Sequence, residues 1–136
     1  MAMTTLLIFL LDWISTNTHY DKSKFDAEIM QLNDREFETM ACKGKCPVLA
    51  FYLEGKGIFT RKLDFNDVCN QSILLHEIIH VFQSTENSET NFAFRESEAY
   101  KIQNAFLIDI SERFELLEQL SLKKCRSNQL KKNFFF

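Results

Sequence analysis

The residues best suited to chemistry lie in Ser72-Ile73-Leu74-Leu75-His76-Glu77-Ile78-Ile79-His80-Val81-Phe82-Gln83. His76 and His80 are four apart, so on an α-helix both imidazoles share a face and can reach a single metal ion. Glu77 projects beside them, where a carboxylate can take a proton from a water molecule that the metal activates. A catalytic zinc takes three protein ligands and keeps one position open, so two histidines require a third donor. His19 is the only other histidine and lies far upstream in a polar stretch. Glu96, within Arg95-Glu96-Ser97-Glu98-Ala99-Tyr100, is the better candidate. An antiparallel helix pair joined through residues 84–90 brings that segment back across the metal face. Ala99 is small enough for close helix packing, while Glu96 and Tyr100, four apart, share a face. Glu98 points roughly 200° around the helix from Glu96, so only one of the two can be a ligand.

His76-Glu77-x-x-His80 followed by Glu96-x-x-Ala99-Tyr100 resembles the gluzincins, zinc peptidases whose third ligand is a glutamate on a following helix. Small single-domain bacterial zincins carry similar versions, and the CaaX-protease-like metallopeptidases carry Glu-x-x-Ala-Asp. The resemblance covers residues 66–106. It implies that His76, His80 and Glu96 hold Zn2+ and that Glu77 is the general base. It also implies a minimal zincin-like domain whose hairpin offers an edge strand to an extended protein or peptide substrate. Tyr100 stands where the membrane peptidases have Asp, so a phenol would have to orient a histidine in place of a carboxylate. The chain has no transmembrane segment, and a CaaX-type substrate is therefore not implied.

In peptide hydrolysis Glu77 would pass the proton it takes from water to the leaving amine. A donor is needed for the oxyanion, and His19, Tyr20, Tyr52, Arg95 and Tyr100 are all candidates. Glu77 and Tyr100 are the expected catalytic residues. Gln83, one turn beyond His80, is either a substrate contact or a solvated helix residue.

These groups need a scaffold. Thr4-Thr5 can cap a first helix to about Ile14, apolar nearly all round and so expected to be buried. Phe25, Ala27 and Ile29 alternate with Asp26 and Glu28, the period of a half-buried strand, although a helix also fits. Asn33-Asp34 offers a cap for a short helix carrying Phe37, Met40 and Ala41, which Gly44 and Pro47 terminate. Residues 48–53 and 58–63 read as a hairpin around Glu54-Gly55-Lys56-Gly57. Asp64, Asn66 and Asp67 supply the break and cap before the motif helix. A polar connection over 84–90 leads to a second helix from about Phe94, with Ala99, Ile102, Phe106 and Ile110 on one stripe. A further helix starts at Ser111, or the second one continues. This order of elements is α+β, with a small antiparallel sheet packed on the motif helix.

At 136 residues the chain is long enough for one core, expected over 1–122. Its 46% hydrophobic and 26% charged content is that of a globular protein. Fourteen Phe against one Trp and three Tyr are read first as core filling, then as a substrate groove. The formal net charge of −3 gives no global basic field, so no nucleic-acid partner is expected. Lys123, Lys124, Arg126, Lys131 and Lys132 make 123–136 basic, and it is read as a solvated, partly disordered tail. The apolar run over residues 6–11 has no preceding Lys or Arg and is too short to span a bilayer. Cytoplasmic and exported settings both stay open. Cys42, Cys46, Cys69 and Cys125 are read first as free thiols, then as disulfides, and least as a zinc site. Beside the zinc peptidase stand a catalytically silent zincin-fold binding or regulatory protein and, more weakly, a cysteine-centred structural zinc protein.

Overall fold

The structure, a computed structural model, describes residues 2–42, 46–86, 91–115 and 118–131. The elements run α1 (Met3–Asn17), a 3₁₀ turn at Lys22–Lys24, β1 (Ile29–Leu32), α2 (Asp34–Cys42), β2 (Ala50–Leu53), β3 (Gly57–Arg61), α3 (Val68–Glu86), α4 (Phe92–Arg113) and α5 (Leu122–Lys131). The result is a small α+β domain in which helices predominate over a three-stranded sheet.

Each helix starts where a side chain takes up a free backbone N–H. Asn33 Oδ1 accepts from Glu36 N at 2.9 Å, Asp67 Oδ1 from Cys69 N at 2.8 Å, and Asn91 Oδ1 from Phe94 N at 2.8 Å. The first helix is the exception. It begins at Met3 without a side-chain cap, and Thr4 and Thr5 lie inside it. It is also not buried all round: Leu6, Leu10, Trp13 and Ile14 form one inward stripe, while Ile8 is exposed.

The sheet order is β1-β3-β2, with β2 antiparallel and β1 parallel to β3. The sheet is therefore mixed, not antiparallel as the hairpin alone suggested. The strand read from Phe25 begins only at Ile29, because Ile29 pairs with Ile58 and β3 extends no further back than Gly57. Glu28 O still accepts Ile58 N at 2.8 Å, whereas residues 25–27 pair with no strand, yet Phe25 and Ala27 pack on the core. Gly57 sits where the two strands approach: its φ is +127°, and a Cβ there would meet Glu28 O at 2.7 Å.

α3 is the central element. Leu74, Leu75, Ile78, Ile79, Val81 and Phe82 are buried, and α1, α4 and the sheet supply their neighbours. It runs on through residues 84–86, expected as loop; residues 87–90 lie outside the described residues, as does Gly44. α4 continues past Ser111 to Arg113. The basic tail expected from 123 is instead α5, whose Cys125 is buried. Asn104 Oδ1 accepts Leu122 N at its start, and Ser111 Oγ accepts Leu120 N just before it. The preferred reading of free thiols fails too. Cys42 pairs with Cys46, and Cys69 at the head of α3 pairs with Cys125 in α5. With every sulfur paired, the cysteine-centred zinc reading loses its donors. Among the described residues, no helix is long and apolar enough to cross a membrane.

Candidate metal centre

α3 and α4 pack side by side, with Ala99 fully buried between them, and this contact carries Glu96 to the imidazoles. Glu96 Oε1 lies 3.1 Å from His76 Nε2 and 2.5 Å from His80 Nε2. The two Nε2 atoms are 3.1 Å apart. A tetrahedral ion with bonds of about 2.0–2.1 Å sets its ligand atoms roughly 3.3 Å apart. Two edges of the triangle meet that spacing, and the third is tighter. His76, His80 and Glu96 thus form a group able to hold a metal ion.

The hydrogen bonds behind the rings decide which nitrogen faces the site. Gln83 Nε2 donates to Arg95 O at 2.9 Å and to Glu98 Oε1 at 3.0 Å, both of which can only accept. Gln83 Oε1 must therefore face His80 Nδ1, 2.8 Å away, and that nitrogen carries the proton. The same logic holds for His76. Ser72 Oγ donates to Cys69 O at 2.6 Å, so it must accept from Gln103 Nε2 at 3.1 Å. Gln103 Oε1 then receives His76 Nδ1–H at 3.0 Å. Both chains end on groups that can only accept, so each ring keeps its Nδ1–H and, when neutral, turns a bare Nε2 toward Glu96. Three acceptors face one another, which a cation relieves.

Glu98 points away from the triangle, as its position on the helix required, and supports Gln83 instead. It also accepts from the buried Tyr20 hydroxyl. Gln83 is neither a substrate contact nor solvated, being 1% exposed. Tyr100 does not hydrogen-bond a histidine. Its ring lies against His76, centroids 4.5 Å apart, and the Arg126 guanidinium lies over that ring. Two glutamines therefore do the orienting work expected of a carboxylate or a phenol.

Burial, then the charge of Glu96, pushes the Glu77 carboxyl well above the usual carboxylate range, and the backbone N–H of Tyr52 opposes both by donating to it. Hydrogen bonding to His76 leads the causes that hold Glu96 below that range. Burial, with the neighbouring His76 ring, lowers His80. The group opens into a cavity of about 470 Å³ walled by β2, α3, the start of α4 and α5. Tyr52 and Tyr100 line it, whereas His19, Tyr20 and Arg95 do not. Arg61 shapes one wall by donating to Val48 O, Cys46 O and Asp34, which ties the approach to β2 onto β3.

Gln103, Ser72, Arg126 and Arg61 were missed in the sequence. Only Gln103 left a signal there, as a polar residue seven after Glu96 and so on the same face of α4. Comparison with protein-family models, curated proteins and solved structures finds no match to this chain.

Proposed function

We propose that this chain is a zinc-dependent peptidase of gluzincin type that hydrolyses a bond in a protein or peptide. The observation that carries the reading is the set of three converging acceptors, two imidazoles fixed in one tautomer and a carboxylate, with Glu77 buried beside them. Two imidazoles and one carboxylate match the donor set of catalytic zinc. Zinc bound there would supply a Lewis acid for the scissile carbonyl and bring a water molecule's pKa to about 7.

The remaining work falls to the chain's own residues. In its ionised form Glu77 accepts the water proton, and its buried setting favours keeping that proton until the leaving amine takes it. The Tyr52 N–H, on the cavity side of β2, favours the ionised form of Glu77. In the β2–β3 ladder Arg61 N bonds Leu49 O, so by antiparallel alternation the polar groups of Ala50 and Tyr52 face away from β3. That edge lines the cavity and can pair with an extended substrate. Tyr100 lines the cavity with its ring against His76, and its O–H can donate to the oxyanion.

The test is a broad peptide library incubated with zinc-loaded protein. Cleavage should fall by about 10²–10⁴-fold in Glu77→Gln with zinc retained. Zinc-loaded protein that cleaves nothing would favour a silent zinc-binding protein instead.

A further inference from the structure

Arg126 is not used by the chemistry above. Among the described residues it is the only Lys or Arg in the cavity wall. The two carboxylates in that wall are already engaged, Glu96 by the imidazoles and Glu77 by Tyr52 N–H. Among the described residues no acid forms an ion pair with Arg126, whose partner is Tyr100. Its Cζ sits 4.9 Å from the Tyr100 ring centroid, and that ring sits 4.5 Å from the ring of His76. The preceding residue, Cys125, is bonded to Cys69 of the motif helix. The backbone at Arg126 is thus tied to the motif helix, and its exposed guanidinium lies over the Tyr100 ring at the cavity wall.

We infer that Arg126 makes this cleft selective for peptides that present a carboxylate close to the bond being cut. The inference rests on the zinc-peptidase reading and names its substrate class. A guanidinium offers a rigid fork of donors that matches a carboxylate with two parallel bonds. An extended peptide advances about 3.3 Å per residue, so two ring contacts from His76 correspond to a group within about one to three residues of the metal. The selectivity is local, because the chain as a whole carries a net charge of −3 and does not attract anions generally. The carboxylate is either a free C-terminus or an Asp or Glu side chain.

Three peptide hydroxamates on one scaffold test this by binding to the zinc-loaded protein, with no need for turnover. One ends in a free α-carboxylate, one in a carboxamide, and one in a carboxamide with Glu in place of a neutral residue. At least one carboxylate probe should bind about tenfold tighter than the neutral carboxamide, and which one does identifies the source. Arg126→Gln should erase that ratio while leaving zinc content and neutral-probe affinity unchanged. Arg126→Lys should keep part of it, as a charge without the fork. Equal affinities in the unaltered protein, or a preference that survives Arg126→Gln, would overturn the inference. Hydroxamate binding with the preference intact but no peptide cleavage would support the anchor and remove the peptidase reading. Failure to bind zinc or any hydroxamate would overturn both.

Discussion

Gln83 and Gln103 do for this centre what its motif cannot: they set which imidazole nitrogen faces Glu96. Gln83→Ala or Gln103→Ala should weaken zinc binding about 10–100-fold without removing a ligand, as read by competition with a chromophoric chelator. Proton competition has a definite sign. Zinc needs both rings neutral, and burial holds His80 below the ordinary imidazole range, so binding should be full at neutral pH and weaken only as the pH falls below that range. His76, Glu77, His80 and Glu96 were legible in the sequence because each is defined by spacing on a helix. The glutamines were not, because an amide has no motif and its partner depends on how α3 and α4 are aligned. Tyr100 lies on the expected face, but its ring packs between His76 and Arg126, a residue whose surroundings in sequence read as a solvated tail.

α5 shows what a sequence hides at the level of elements. Its composition reads as a basic tail, and little apolar surface marks it as a helix. Its anchors are the Cys69–Cys125 bond, the Asn104 side chain and the Arg126–Tyr100 contact, all distant in sequence. Cys125→Ser should lower unfolding free energy by about 2–4 kcal/mol, since the bond closes a long loop. Denaturant titration measures the loss, and hydrogen exchange should rise first in α5. The hairpin, the motif helix and its partner were readable from turn residues, caps and the 3.6-residue stripe. The early strand was misplaced because alternation marks which side faces inward but not whether a neighbour exists to pair with. β3 supplies that neighbour only from Gly57 onward.

At the scale of the molecule, one core among the described residues links α3 to α1, α4, α5 and the sheet. Phe106, fully buried and in edge contact with Trp13 at 5.2 Å, ties α4 to α1. Phe106→Ala should cost about 3–5 kcal/mol and loosen the helix that carries Glu96. Metal should couple to this core by mass action. Zinc at a hundredfold excess over its Kd adds about 2.7 kcal/mol, and a chelator should remove it with a fall in Tm of roughly 10 °C. The α+β class followed from the order of elements, whereas the parallel β1–β3 pairing needed contacts between segments far apart in the chain. The most direct test of the account is a crystal structure of the zinc-loaded protein with anomalous scattering recorded at the zinc edge. One peak bonded to His76 Nε2, His80 Nε2 and Glu96 at about 2.0–2.2 Å is the predicted result. No peak there, or zinc held by other residues, would contradict it.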